Sequence, residues 1–251
     1  MSTISVYTTT YNVIQQEYCF IEAIKSALGF ADEVVVCDGG STDGTVEAIM
    51  AIGDPRIKIV TCKWLHSIGW GMHKILRTVA IGNCTSDWCV LMDADEVFHE
   101  NSYPSIKKIP MHMGSDILAV RFNTLHFYKD YWHLLNGYSG WKDLYTSKIY
   151  MVRNGFGIHH GNSGLDIDAH VDNRGVAIED RHCVNVQVYV HHYGHVRSEE
   201  GYARKQSRMH SQYEGKKIEY KNAYNIDLKE LVTFSGPHPK VMEELINAYK
   251  S

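Results

Sequence analysis

The sequence predicts an α/β protein built on an open, twisted, mostly parallel sheet with helices on both faces. Three observations predict it. Strand-like and helix-like segments alternate through the first hundred residues. The strand-like segments are apolar almost without interruption, as in strands covered on both faces. Several of them run into a polar turn, twice beginning with an acid, and ligands of open α/β sheets bind outside such carboxyl ends.

Thr3–Thr8 (TISVYT) is a short apolar first strand. Gln15–Leu28 carries apolar residues at Cys19, Ile21, Ala23, Ile24, Ala27 and Leu28, a helical period, and Gly29 is its stop. Glu33–Cys37 is a buried parallel strand, and Asp43 or Ser41 can cap a helix running through Ile52. Arg56–Cys62 alternates as a third strand, Gly71–Gly82 reads as a helix, and Trp88–Met92 as a fourth strand. The order β-α-β-α-β-α-β predicts a mostly parallel sheet with helices on both faces.

After residue 100 the pattern changes. Ile117–Tyr128, Trp141–Arg153 and Val184–His192 suit a small mixed or antiparallel part. Between the last two lies GFGIHHGNSGLDIDAHVDNRG, a loop by composition, and a long loop in a compact domain commonly carries function. The last fifty residues are polar and helical; GPHP at 236–239 interrupts them before an amphipathic helix at Val241–Tyr249.

Composition narrows the function. With 251 residues and 44% hydrophobic content the chain can bury a sizeable core. With a net charge of −4, composition alone gives no sign of the basic surface of a nucleic-acid binder. No apolar run spans a bilayer, and MSTISVYTTTYN lacks the features of a signal peptide, so a soluble, cytoplasmic protein is expected, with peripheral membrane contact left open. The six cysteines form no C-x-x-C pair and read as reduced thiols.

The strand ends hold the chemistry. Thr9-Thr10-Tyr11-Asn12 follows the first strand, Asp38-Gly39-Gly40-Ser41-Thr42-Asp43 the second, and Asp93-Ala94-Asp95-Glu96 the fourth. Turn chemistry explains each alone. An N-cap with first-turn acids explains D-x-D alone. Together they point to a nucleotide–metal site, because Mg²⁺ and Mn²⁺ prefer carboxylate oxygen and bridge to phosphates. The loop DGGSTDGT is neither a Walker A nor a G-x-G-x-x-G loop. Asp38 is placed to accept hydrogen bonds from a base or ribose, and Gly39 and Gly40 allow a tight turn beside the ligand.

VVVCDGGSTDGT followed by WCVLMDADE resembles the nucleotide-sugar half of a family-2 glycosyltransferase of the GT-A fold, whose first motif has the form V-V-D-x-G-S-T-D-G-T. TTYN matches that family's opening turn. HFYKDYW, GLDIDAH, VYVHHYGHVR and TFSGPHP are similar to a bacterial and viral subgroup carrying H-F-Y-G, G-D-A-Q-G-F, H-Y-G-W-V-R and F-x-G-x-H-P. The resemblance implies a single GT-A-type domain with a nucleotide-sugar half at 1–100, an acceptor half at 101–196, and a C-terminal helical extension at 197–251.

It implies roles residue by residue. Thr9, Tyr11, Asp38 and Gly40 would line the nucleoside pocket, with Arg77 and Ala94 beside the nucleotide. Asp93 would approach the ribose or a metal-bound water. Asp95 would bind the Mn²⁺ or Mg²⁺ that bridges the diphosphate, and His192 would complete the metal site from a distant strand. The neighbouring His191 makes that assignment depend on the Y-G register, and His195 replaces an aromatic residue of the subgroup.

The implied reaction is inverting transfer from a nucleoside-diphosphate-sugar to a hydroxyl acceptor, with a saccharide the first acceptor to consider. Such a reaction needs a base for the acceptor hydroxyl. Asp168 is the first choice, Asp166 shares its face if the segment is extended, and Asp180 in IEDRH is third. Arg197 and Lys205 either close on the departing diphosphate or form a solvated helix face. Trp132, His133, Tyr138 and Trp141 either stack on sugars or pack internally. A sugar nucleotidyltransferase would need a G-x-G-x-R loop that is absent here, and a non-catalytic nucleotide-sugar-binding module would keep the strand-end acids while losing the base.

Overall fold

In a computed structural model, residues 2–69, 71–138, 147–157, 159–160, 170–171, 178–214 and 224–250 are described. Among the described residues the strands form one ten-stranded sheet and a separate two-stranded pair.

β1 (Ile4–Thr10), β2 (Glu33–Asp38), β3 (Ile57–Thr61) and β4 (Trp88–Leu91) are mutually parallel. Their continuous apolar character has the expected cause. Ile4, Val6, Val34, Val36 and Val90 face one core, and Tyr7, Val35, Cys37, Cys89 and Leu91 face the other. The first core is covered by α1 (Phe20–Leu28) and α2 (Thr45–Met50), the second by α3 (Gly71–Gly82).

The starts of α1 and α2 differ from the expected ones. The first helix begins at Phe20 rather than Gln15, because Asn12 and Glu17 take positive φ of 50 and 55 and the Glu17 amide closes a turn on Ile14. The N-cap of α2 is Gly44 at φ 90, so neither Ser41 nor Asp43 occupies that position. Asp43 still acts there, accepting from the Thr45 hydroxyl at 2.5 Å and amide at 3.2 Å.

The mixed part follows. β5 (Glu96–Phe98) leaves the acidic turn and leads to α4 (Tyr103–His112), a helix the sequence reading omitted. β6 (Ala119–Tyr128) runs antiparallel to β8 (Ser147–Arg153), which is antiparallel to β4. β6 therefore points the same way as β4, and its end joins the same edge. β7 (His133–Leu134) pairs with β6 and β12 (Val232–Thr233). The polar stretch read as pure loop contains a small antiparallel pair, β9 (His159–His160) and β10 (His170–Val171).

β11 (Cys183–His195) is parallel to β6 and antiparallel to β5. It feeds α5 (Glu199–Glu214), and the chain closes on α6 (Glu243–Lys250), which buries Ile246 against the first core. Among the described residues no helix is long and apolar enough to cross a membrane. None of the six cysteines is paired.

Candidate active site

The ends of β1 and β2 are tied together by one carboxylate. Asp38 is 2% exposed, and its Oδ1 accepts from the Gly40 amide (2.8 Å) and the Ser41 amide (2.7 Å). Its Oδ2 accepts from the Ser41 hydroxyl (2.6 Å) and the Thr10 hydroxyl (2.8 Å). Gly40 sits at φ 85, a conformation that favours glycine, which lets the two amides turn inward. The acid read as a nucleoside contact is thus engaged by its own loop, which it holds in shape. Asn12 completes the tie, with its amide donating to Ser41 Oγ and its Oδ1 accepting from the Thr42 amide, both at 2.8 Å.

Beside this loop Tyr11 stacks on Trp64, with centroids 4.9 Å apart and 6° between planes, and its hydroxyl lies 3.2 Å from His66 Nε2. Tyr11 and His66 line a cleft of about 800 Å³ together with Gln15, Gly69, Gly71 and Arg208. Thr9 is half-buried and pairs in register with Cys37. The sequence reading missed Trp64 and His66. Their signal was an aromatic and an imidazole in KWLHS, directly after the third strand.

The DADE turn divides its acids between two environments. Asp93 Oδ1 accepts from Arg77 Nη2 at 2.6 Å, and Oδ2 from Lys148 Nζ at 3.2 Å. Lys148 also pairs with Glu96 Oε1 at 2.7 Å, where the Tyr150 hydroxyl donates at 2.7 Å. Glu96 Oε2 accepts the Asp93 amide at 2.9 Å. Burial works to raise the Asp93 pKa, but Arg77 and Lys148 outweigh it and hold the carboxyl well below the usual range. Burial raises Glu96, partly offset by Lys148. Asp93 was assigned to a ribose or a metal. Its two oxygens meet two protein cations, because β8 delivers Lys148 across from β4. Lys148 was missed; a lone lysine in the apolar strand SKIYMVR was its only mark. Ala94 is buried within the turn.

Asp95 points elsewhere. It is 6% exposed, and its Oδ1 lies 3.6 Å from His192 Nε2. Its Oδ2 lies 3.6 Å from Arg197 Nη2 and 3.9 Å from Lys205 Nζ. The β5–β11 register pairs His192 with Glu96 and brings the imidazole to this carboxylate. His191 faces the opposite side and stacks on Phe127 at 5.6 Å and 13°. A Cβ added at Gly194 would come within 2.5 Å of both Asp95 Oδ2 and His192 Nε2, so the glycine keeps their shared space open. Burial, then His126 and His195, push His192 well below its usual pKa, which leaves a neutral imidazole. Its Nδ1 lies 3.0 Å from His126 Nδ1, the residue beside it in the β6–β11 register. Burial and Arg197 push Lys205 down to about 7.

One carboxylate and one neutral imidazole around a small open space suit a divalent cation that accepts oxygen and nitrogen donors. Among the described residues no cluster of three or more His, Cys, Asp or Glu side chains has metal-binding geometry. A cation between Asp95 and His192 would take its remaining ligands from outside that set.

The three base candidates fare differently. Asp166 and Asp168 lie outside the described residues, as does Trp141. The Asp180 side chain is 88% exposed and paired to Arg121 at 2.9 Å. It precedes β11, and the run of that strand from Cys183 to His192 spans on the order of 30 Å of extended chain. His170, two positions after Asp168, is 1% exposed, with Nε2 3.2 Å from the Tyr7 hydroxyl. Burial, with Arg77 and Lys148, pushes it to about 3, so β10 is seated beside the Asp93 network. Of the candidate sugar-stacking residues, Trp132 packs on Tyr131 and Tyr249, His133 pairs with Asp130 at 2.8 Å, and Tyr138 packs on the Tyr128 cluster.

Comparison with known proteins adds the following. Residues 5–160 match the family model described as Glycosyl transferase family 2. An uncharacterized glycosyltransferase of Rickettsia typhi is 30% identical over 130 residues, covering 51% of this chain and 40% of that protein. One of Rickettsia felis is 30% identical over 131 residues, covering 52% and 42%. The chain thus spans about two fifths of the length of these curated relatives. Among solved structures, TarS of S. aureus shares 14% identity over 80% of this chain and 38% of its own, with a TM-score of 0.48. Glucosyl-3-phosphoglycerate synthase from Mycobacterium tuberculosis, in complex with Mn²⁺, uridine diphosphate and phosphoglyceric acid, shares 14% over 84% and 78%, with a TM-score of 0.45.

Proposed function

From the premise that this chain belongs to glycosyl transferase family 2, we propose that it transfers a sugar, with inversion, from a nucleoside-diphosphate-sugar to a hydroxyl acceptor, a saccharide being the acceptor class considered first. The observation that carries this reading is the pair Asp95 Oδ1 and His192 Nε2, 3.6 Å apart across the space that Gly194 leaves open. These two residues would hold Mn²⁺ or Mg²⁺. Bound there, the ion supplies charge neutralisation to the diphosphate as it leaves.

The remaining work falls to the chain's own groups. Tyr11 and His66 offer a flat ring and a polar edge to a nucleoside in the cleft. The loop shaped by Asp38 presents its backbone beside it. Arg77 and Lys148 keep Asp93 ionised and fix the turn that aims Asp95. Asp168, with Asp166 as the alternative, accepts the acceptor's hydroxyl proton. The acceptor oxygen then bonds to the anomeric carbon from the face opposite the diphosphate. The bond from that carbon to the diphosphate breaks, and its electron pair leaves with the phosphate oxygen. No protein acid is needed for this leaving group.

The test is a thermal-shift screen of nucleoside diphosphates with and without Mn²⁺, on wild type and Asp95→Ala. A ligand that binds only the native state raises its stability by mass action. Metal-dependent stabilisation in the wild type, lost in Asp95→Ala, is expected. Donor turnover at the wild-type rate in that variant would overturn the assignment.

A further inference from the structure

Residues 233–239 (TFSGPHP) lie against the side of β11 that carries His191. The Phe234 amide donates to the Trp132 carbonyl at 2.7 Å. Its ring meets Phe127 edge-on, with centroids 5.0 Å apart and 87° between planes. Gly236 lets the chain turn over that ring, because a Cβ there would stand 2.8 Å from Phe234 Cζ. Beyond the motif the Lys240 amide donates to Glu100 Oε2 at 3.2 Å, and Met242 is buried in the first core. The segment is thus fastened at both ends. Between them the His238 ring packs on Phe127, with centroids 5.1 Å apart.

Tyr193 is where this segment meets the turn that carries the candidate metal ligands. The pairing of β11 with β6 shifts register between His192 and His195, and its pairing with β5 ends at His192. Regular strand pairing therefore does not hold the backbone at Tyr193 and Gly194. Two other contacts do. The Tyr193 amide donates to the Asp95 carbonyl at 2.8 Å. At the far end of the side chain the hydroxyl lies 2.8 Å from His238 Nδ1. The ring between them is 3% exposed and stacks on Phe127, with centroids 4.8 Å apart and 16° between planes. Stacking alone lets one ring slide over the other, and a hydrogen bond at the ring's tip fixes its place. Burial pushes the His238 pKa down and the Tyr193 pKa well up, so a neutral imidazole meets a protonated phenol and one hydrogen bond satisfies both atoms.

We propose that His238 is a positioning residue for the Asp95–His192 pair: by holding the Tyr193 hydroxyl it fixes the Tyr193–Gly194 turn, which keeps Asp95 Oδ1 and His192 Nε2 3.6 Å apart. This rests on the reading of Asp95 and His192 as metal ligands. A shift of the turn is felt directly at both, because Gly194 already stands against Asp95 Oδ2 and His192 Nε2. His238 and Tyr193 lie outside the segment 5–160 that matches the family model, so the match assigns them nothing. The C-terminal segment thereby supports the metal site from the side of the strand that His191 faces.

Tyr193→Phe and His238→Phe in the full chain each keep an aromatic ring and remove the hydrogen bond, and their combination completes a double-mutant cycle. Mn²⁺ affinity is measured by EPR titration. The His192 imidazole signal is followed by NMR of histidine-labelled protein and assigned with His192→Gln. Each single variant should bind Mn²⁺ about tenfold more weakly, as loss of an outer-shell contact requires, and should displace the His192 signal. The double variant should be no weaker than the weaker single one, since both changes remove the same bond. Wild-type Mn²⁺ affinity in either single variant, or losses that add in the double variant, overturns the proposal and leaves His238 a role in stability alone. If the wild type itself binds no Mn²⁺, the metal reading falls and the His192 signal decides: displaced in both single variants it keeps the positioning role, unmoved in either it removes it.

Discussion

Lys148→Met tests the electrostatic centre of the site. Methionine keeps most of the lysine's volume, so the change removes charge with little repacking. Lys148 is 5% exposed and holds Glu96 at 2.7 Å and Asp93 at 3.2 Å. Asp93 would retain Arg77, but Glu96, 1% exposed, would keep only the Tyr150 hydroxyl and the Asp93 amide. Removing one partner of a buried ion pair costs about 3–5 kcal/mol. At roughly 2–4 °C per kcal/mol for a chain of this size, the melting temperature should fall by about 6–20 °C. The pH dependence gives a sharper reading. Glu96 is already raised by burial, and loss of Lys148 raises it further. A group with a raised folded pKa contributes stability that is full below its unfolded value, about 4.3, and lost as pH rises through the folded one. The deficit of the variant should therefore be largest at neutral pH and shrink as the solution is acidified toward the unfolded glutamate value. In the wild type Asp93 acts oppositely: its lowered pKa stabilises above the unfolded aspartate value, and that support disappears only in strong acid. Urea unfolding of both proteins at pH 5, 6 and 7 measures the difference. A gap below about 1 kcal/mol at pH 7, or one that does not change with pH, would refute the keystone role.

Three other outcomes are expected. Gly194→Ala places a methyl 2.5 Å from Asp95 Oδ2 and His192 Nε2, and should lower Mn²⁺ affinity in an EPR titration while costing about 1–3 kcal/mol of stability; unchanged Mn²⁺ binding would show that the cation does not use this space. His126→Phe removes the group 3.0 Å from His192 Nδ1 that orients the ring, and should weaken Mn²⁺ by about 10–100-fold while leaving the circular-dichroism spectrum unchanged; wild-type Mn²⁺ affinity in a folded variant would show that His126 does not position the ligand. Asp180→Asn, at an exposed carboxylate, should transfer sugar at the wild-type rate, whereas Asp168→Asn should bind donor and fail to transfer; the reverse pattern in a paired kinetic assay would move the base.

The first half of the fold was legible because each signal there is local. A strand covered on both faces has to be apolar at every position, so EVVVC and WCVL announce themselves, and α3 begins and ends where its period does. The start of α1 was misread because helical periodicity continues upstream across residues whose backbone is turned by Asn12 and Glu17 at positive φ. The acids at the strand ends were visible, but their partners were not. Asp38 stands out as an acid at a strand end, but no local pattern shows that the Gly40 and Ser41 amides fold back on it.

What the amino-acid sequence determined by itself is the layered sheet and the edge where the polar strand ends gather, since both follow from nearest-neighbour patterning along the chain. The division of labour inside the DADE turn came only from tertiary structure. Lys148 claims Asp93 and Glu96, while the β5–β11 register turns His192, and not His191, toward Asp95. A one-residue slip in that register would exchange the two histidines between faces. Strand pairing and buried charge compensation act between residues distant in the chain, and no local pattern encodes them.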